Sequence, residues 1–216
     1  TLAGGDELNI HTKHGAHKTV VRGLQSRNTS VDTVQPYNRV AVNLRGVSVD
    51  DVGRGDALLK GDQWPIVTAA DVRTLPAGRR SAEDQTRFEQ WPNKVTVHIG
   101  TASTPAHLRA FDQAHARLTL ESALPLQVGD RLILRVPGSH LRIAGVEILD
   151  VAPPELVRRG DGVRRQAELA AMPSGGDYRA QVQRRGLVSA ANLQEQGLHV
   201  PADLDDGFAR IGEYIV

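Results

Sequence analysis

Strict alternation of apolar and polar residues over short runs is the feature that most limits what this chain can fold into. Lys94-Val-Thr-Val-His-Ile-Gly is apolar at every second position, and a period of two puts the apolar side chains of a strand on one face. The pattern returns in Ala116-Arg-Leu-Thr-Leu-Glu, in Arg131-Leu-Ile-Leu-Arg and in Arg39-Val-Ala-Val-Asn-Leu-Arg, where Val40, Val42 and Leu44 share a side. Glu7-Leu-Asn-Ile-His alternates briefly, Lys18 to Gln25 is apolar at Val20, Val21 and Leu24, and Leu141-Arg-Ile-Ala-Gly-Val-Glu-Ile-Leu closes a second series. Gly, Asn, Asp and Pro separate these runs. Such a succession predicts antiparallel strands in a barrel or sandwich.

A Gly-Asp step stands just ahead of apolar runs at Gly5-Asp6, Gly55-Asp56 and Gly129-Asp130, each with Leu two residues after the Asp. Gly permits the φ of a tight strand entry and Asp bonds nearby backbone N–H groups, so the step predicts a repeated turn in related barrels. The polar stretch from Pro76 to Asp84 reads as a mobile loop. After Pro153-Pro154 the texture changes. Leu156 to Met172 has helical spacing and an Arg-rich face (Arg158, Arg159, Arg164 and Arg165), which on its own reads as solvated. Tyr178 to Arg185 and Ser189 to Gln196 predict two short helices, the second capped by Ser189, and Arg210 to Val216 alternates like a strand. The expected architecture is an all-β core of two antiparallel β-barrels, over 1–60 and 61–153, followed by a small helical, winged-helix-like segment over 154–216.

Composition excludes more than it proposes. There is no cysteine, hence no disulfide or thiolate chemistry. No apolar run approaches the ~20 residues of a membrane helix, and no signal-peptide pattern opens the chain, so a cytoplasmic protein is expected. Net charge is +1, which neither supports nor excludes an RNA partner. No Gly-x-x-x-x-Gly-Lys-Ser/Thr run is present, and Asn93-Lys94 is followed by Val-Thr rather than by the x-Asp of guanine recognition. GTP is therefore not expected to bind this chain by itself, and no other cofactor is expected in it. No Gly-x-Ser-x-Gly elbow supports a hydrolase. His11, His14 and His17 are spaced by three, but a hairpin does not converge such imidazoles, so they read as turn histidines and no metal site is expected.

Longer blocks carry a family resemblance. Asn38-Arg-Val-Ala-Val-Asn-Leu-Arg-Gly-Val with Arg54-Gly-Asp-Ala-Leu-Leu resembles the end of the second domain of translational GTPases, and Val20-Val-Arg-Gly-Leu-Gln resembles a central strand of that barrel. Val95-Thr-Val-His-Ile-Gly-Thr-Ala, Gly129-Asp-Arg-Leu-Ile-Leu-Arg and Ile143-Ala-Gly-Val-Glu-Ile-Leu-Asp-Val-Ala-Pro-Pro are similar to the third domain of the selenocysteine-specific elongation factors, the SelB type. The continuation into helices and Arg at position 39, where the general factor usually has Asn, point the same way. The resemblance covers nearly the whole chain and weakens after Gly186; at Thr1 it implies a barrel whose first strand lies upstream or is missing.

The resemblance implies a fragment that binds selenocysteyl-tRNA and delivers it to the ribosome at recoded UGA codons, with GTP, Mg and hydrolysis belonging to an absent domain. It implies Arg39 in the pocket for the selenocysteyl group. A selenolate is an anion, and guanidinium is a permanent cation with a rigid fork of donors. It places Arg22 beside the terminal adenosine, and Lys94, His98 and Arg109 against the tRNA backbone. From the residues alone each of these is an ordinary strand side chain in solvent. The helix from Arg158 to Arg165 would lead toward modules that bind the selenocysteine-insertion element of messenger RNA. A monomer is expected. The rival readings are the tRNA-binding barrels of another translational GTPase, and a β-barrel protein-interaction module.

Overall fold

The computed structural model describes residues 1–12, 15–61, 64–76, 87–139 and 142–216, in two compact units, Thr1–Gln63 and Trp64–Val216. His14 and most of the polar loop after Pro76 lie outside the described residues.

The first unit contains β1 (Leu2–Ala3), β2 (Glu7–Thr12), β3 (Gly15–Ser26), β4 (Thr29–Val31), β5 (Thr33–Val34), β6 (Ala41–Leu44) and β7 (Ala57–Lys60). The sheet runs β4-β3-β2-β7 with β6 also on β3, while β1 pairs β5. Alternation buries Leu8, Val21, Leu24 and Val34, against which Leu2, Val31, Val40, Val42 and Leu44 pack. Among the described residues the sheet is open, a half-barrel. The strand expected from Arg39 begins only at Ala41. His11 lies opposite Ala16 and His17 opposite Ile10, so these two histidines fall on alternate faces of the hairpin.

The second unit is built on a closed barrel of β8 (Ile66–Thr74), β9 (Lys94–Ile99), β10 (Ala102–Ala110), β11 (His115–Pro125), β12 (Arg131–Arg135) and β13 (Ile143–Asp150), in the order β10-β11-β8-β13-β12-β9. Closure follows from the alternation. Val95 and Val97, Ala106 and Leu108, Leu118 and Leu120, and Leu132 and Leu134 all point inward and are buried. Each large aliphatic chain so buried contributes about 1.5–3 kcal/mol.

The three Gly-Asp steps ahead of strands share one structure. In each copy Gly takes positive φ (Gly5 86°, Gly55 102°, Gly129 90°). The Asp carboxylate accepts the N–H three residues before it, from Ala3 at 2.9 Å, Gly53 at 2.7 Å and Gln127 at 2.8 Å. The Asp N–H closes the turn on the carbonyl of that same residue. A fourth copy, Gly160-Asp161, binds the Arg158 N–H at 2.6 Å with Gly160 at φ 93°. It opens a helix instead of a strand, and it corrects the expected helix boundary: Leu156 to Arg159 are held outside, and α1 is Asp161–Ala171.

Beyond α1 come α2 (Tyr178–Arg185), β14 (Val188–Ser189), α3 (Ala190–Glu195), β15 (Arg210–Ile211) and β16 (Tyr214–Ile215). The Asp177 side chain caps α2, whereas Ser189 precedes α3 without a capping bond from its hydroxyl. The terminal strand expected from Arg210 is a hairpin of two short strands about Gly212, with β16 also on β14.

This segment is joined to the barrel by one continuous hydrophobic cluster. Tyr178, Val182, Val188, Ala190, Leu193, Leu198, Val200 and Ile215 belong to the same buried cluster as the barrel strands. The Val128 N–H donates to the Gln196 carbonyl at 2.7 Å, and Gln127 Nε2 donates to the Glu195 carbonyl at 2.8 Å. Contact is close enough to require glycine. A Cβ on Gly176 would lie 2.5 Å from Val128 Cγ1, and one on Gly197 2.9 Å from the Val128 carbonyl oxygen.

Polar ties reinforce it. Arg165 is 2% exposed and bonds Asp71 on β8 and Asp150 on β13, both fully buried, at 2.7 and 2.6 Å. Arg117 forks onto Asp71 at 2.7 and 2.9 Å, and Arg184 reaches Asp150 at 3.0 Å. Burial alone would push the Asp150 carboxyl up, but the Arg184 and Arg165 guanidinium groups outweigh it and hold that carboxyl below its ordinary value. Arg165 itself is shifted upward, because Asp150 and Asp71 outweigh its burial. The Arg-rich face of α1 is therefore not uniformly solvated: Arg158, Arg159 and Arg164 are exposed, and Arg165 is an internal tie.

Candidate functional site

Arg39 follows a tight turn. Pro36 fixes the chain, Tyr37 takes a left-handed φ of 65°, and the Asn38 amide donates to the Gln35 carbonyl at 3.2 Å. The Arg39 carbonyl accepts from Ser26 Oγ at 3.2 Å, which draws the turn toward the end of β3. At that end β3 and β4 join through Arg27 and Asn28, both at positive φ (52° and 62°), with Ser26 opposite Thr29. This is a two-residue hairpin turn of the kind that Asn favours.

The two turns enclose an open cavity of about 540 Å³ lined by Gln25, Arg27, Asn28, Asn38, Arg39, Val40 and Ala41. Two arginines and three amide residues line it, and no carboxylate residue does. Two permanent cations with no carboxylate among the lining residues favour negative charge there. Gln25 and Ala41 also line a larger cavity of about 710 Å³, where Leu24, Val31, Val42 and Leu44 mix with Ser30, Asp32, Asn43 and Ser48. The pocket with Arg27 and Arg39 thus adjoins a mixed polar and apolar groove within one unit.

Arg22 does not enter the Arg39 pocket. Val21 pairs with Leu44 and Gly23 with Asn43, so Arg22 is the extra residue of a β-bulge on β3. Bulges redirect a side chain, and that of Arg22 is exposed. Arg27, which sequence reading passed over, is the neighbour Arg39 has. The Arg27-Asn28 step between two strand-like runs was the available signal.

In the second unit, Lys94 lies opposite His107, and His98 opposite Ser103 on β10 and Ile133 on β12. Their strand neighbours Val95 and Val97 are buried, so Lys94, His98, His107 and Arg135 share the barrel's outer face. Arg109 is on the same face of β10 but at its far end, where its guanidinium lies 3.7 Å from a Cβ built on Gly162 of α1. The structure thus puts Lys94 and His98 on one face of the barrel, at opposite ends of β9, and sends Arg109 toward the helical segment. Among the described residues no group of His, Asp and Glu is arranged to hold a metal ion, and no helix is long and apolar enough to cross a membrane.

Comparison with known proteins gives likenesses of sequence and fold. Residues 78–155 match the family model described as the selenocysteine-specific elongation factor β-barrel domain. The selenocysteine-specific elongation factor of Escherichia coli is 27% identical over 177 residues, covering 80% of this chain and 27% of that protein. The crystal structure of a bacterial selenocysteine-specific elongation factor superposes with a TM-score of 0.75 at 18% identity, over 99% of this chain and 34% of that one. The SelB factor of Methanococcus maripaludis, solved with the GTP analogue GppNHp, does so with a TM-score of 0.54 at 20% identity, over 70% of this chain and 38% of its own. The chain spans about a quarter of the length of the curated relative. These likenesses meet on one family: the chain is similar to the selenocysteine-specific elongation factors of the SelB type, and its residues 78–155 match their β-barrel domain.

Proposed function

We propose that this chain is the tRNA-holding part of a selenocysteine-specific elongation factor, with Arg39 and Arg27 receiving the anionic selenocysteyl end. The observation that carries the reading is the 540 Å³ pocket with two arginines and no carboxylate. A charge-assisted bond from Arg39 to a selenolate would be worth about 1.5–3 kcal/mol over one to a neutral hydroxyl. That difference is roughly ten- to a hundredfold in affinity. Lys94 and His98 on the outer barrel face would meet the tRNA backbone, positioning it without reading sequence. Arg22 on its bulge would lie beside the acceptor end, and Arg109 would serve at the edge of the face.

GTP and Mg binding, GTP hydrolysis, ribosome delivery at UGA codons and recognition of the messenger-RNA insertion element belong in this reading to the complete factor, which acts as a cytoplasmic monomer. The helical segment would continue toward the messenger-RNA modules. Its inner arginines, Arg165 and Arg184, are engaged with Asp150. Arg158, Arg159, Arg164, Arg185 and Arg210 are exposed and would remain at the surface for RNA.

The test is a binding competition between selenocysteyl-tRNA and seryl-tRNA in the complete factor. Arg39→Ala is expected to erase most of the preference while leaving seryl-tRNA affinity nearly unchanged. An undiminished preference would remove Arg39 from the pocket.

A further inference from the structure

Two Trp, three Tyr and three Phe supply the aromatic surface of the whole chain. Phe88 and Trp91 pack edge to face in the barrel, Tyr178 and Phe208 meet at 5.7 Å, and Phe111 lies under Arg117. Trp64 is half-buried and Tyr214 is 39% exposed. Tyr37 differs from all of them: its ring is wholly in solvent, at 107% exposure.

Its backbone is equally unusual. Tyr37 has φ 65°, a conformation that costs a bulky residue of the order of 1–3 kcal/mol and that Gly or Asn would adopt with little penalty. The turn that enforces it is braced by Asn38 Nδ2, which donates to the Gln35 carbonyl at 3.2 Å and reaches the Pro36 carbonyl at 3.5 Å. A large ring is thus held out from the fold, at a backbone cost, two residues from Arg39 and beside the carboxylate-free cavity of Arg27, Asn28, Asn38 and Arg39.

An exposed aromatic face with arginines beside it matches one ligand chemistry, an unpaired nucleobase carrying its phosphate. We infer that Tyr37 is a stacking platform for one unpaired base at the single-stranded end of an RNA, with Arg27 binding the neighbouring phosphate and Arg39 left to the aminoacyl end. This rests on the proposed tRNA reading and adds to it a residue that recognises the base plane. Stacking on a tyrosine is tolerant of base identity, so Tyr37 adds affinity and placement rather than sequence choice.

The experiment uses the 216-residue chain and an acceptor-stem minihelix whose last unpaired base is 2-aminopurine, whose fluorescence falls when it stacks. Anisotropy of a dye on the opposite end reports binding separately. The wild type should bind and quench, Tyr37→Phe should do both, and Tyr37→Gly should lose quenching with a fall in affinity of about tenfold. Gly suits this φ, so the variant should melt no lower than the wild type; Tyr37→Asn provides a second side chain suited to the turn and should behave alike. Undiminished quenching and affinity in Tyr37→Gly, or binding by the wild type without quenching, would overturn the stacking role while leaving the tRNA reading intact. Absence of minihelix binding by the wild type at low salt would overturn both, and Tyr37 would then face a protein partner.

Discussion

The guanidinium of Arg165 bonds Asp71 at 2.7 Å, with both side chains buried and 94 positions apart in the sequence. One helical residue thereby anchors α1 to barrel strand β8, and through Asp150 to β13 as well. Removing it would leave two carboxylates in the interior, with only Arg117 and Arg184 to compensate. Breaking a buried network in this way costs about 3–5 kcal/mol. Arg165→Met is therefore expected to lower the urea midpoint of the second unit sharply, and to speed hydrogen exchange in α1 before the barrel strands. An unchanged midpoint would show that the pair adds nothing to stability.

Acid should act on the same contact surface. Burial would raise Asp150 and Glu147, but Arg184 and Arg165 outweigh it for Asp150. For Glu147 the Ser174 hydroxyl, the Gly175 N–H and Arg73 do so; both carboxyls lie below their ordinary values of 3.8 and 4.5. A carboxyl lowered by folding stabilises the protein above its unfolded value, and that contribution is lost as pH falls through the folded one. Asp130 is shifted upward by burial and works in the opposite sense, offsetting part of the loss. Melting temperature should be level above pH 5 and fall below it. The Arg165→Met variant should show a shallower acid limb.

Close approach at Gly176 makes a steric prediction. Its φ is 75°, and a Cβ there would meet Val128 Cγ1 at 2.5 Å, Leu198 Cδ2 at 2.9 Å and the Leu149 carbonyl at 3.1 Å. Gly176→Ala combines backbone strain with overpacking, each costing about 1–3 kcal/mol. A melting temperature several degrees lower is expected. Gly212→Ala, where φ is 61° and nothing lies within 4 Å of the added Cβ, should lose much less.

On the outer barrel face, Lys94→Ala should weaken binding of different tRNAs alike and reduce the dependence of log K on log salt by close to one unit. Arg109→Ala should change that slope less, since its guanidinium is directed at the start of α1. Equal effects of the two substitutions would mean that RNA reaches the edge near α1.

Period-two alternation made the barrel strands legible, because a closed sheet buries every second residue, and Val95, Val97, Leu132 and Leu134 obey it without exception. The Gly-Asp turns were legible for a local reason: the carboxylate bonds a backbone N–H three residues back, so the motif needs no tertiary partner. Arg165 was not legible. A run of arginines on a helix is ordinarily solvated, and the acids that bury it, Asp71 and Asp150, sit on strands whose other residues reveal nothing of a helix above them. Arg39 was placed in a pocket by resemblance, and its partner Arg27 comes from a hairpin turn that alternation does not mark. The bulge at Arg22 is likewise invisible in sequence, because one unpaired residue on β3 leaves the apolar pattern around it intact.

The central claim is that this chain holds charged tRNA, and the most direct measurement is filter binding of selenocysteyl-tRNA to the chain across a salt series. Phosphate contacts release counterions, so log K should fall linearly with log salt with a slope of about −0.7 to −0.9 for each phosphate neutralised. Several such contacts are predicted, hence a slope steeper than about −2. Binding that is absent at low salt, or that is insensitive to salt, would contradict the account.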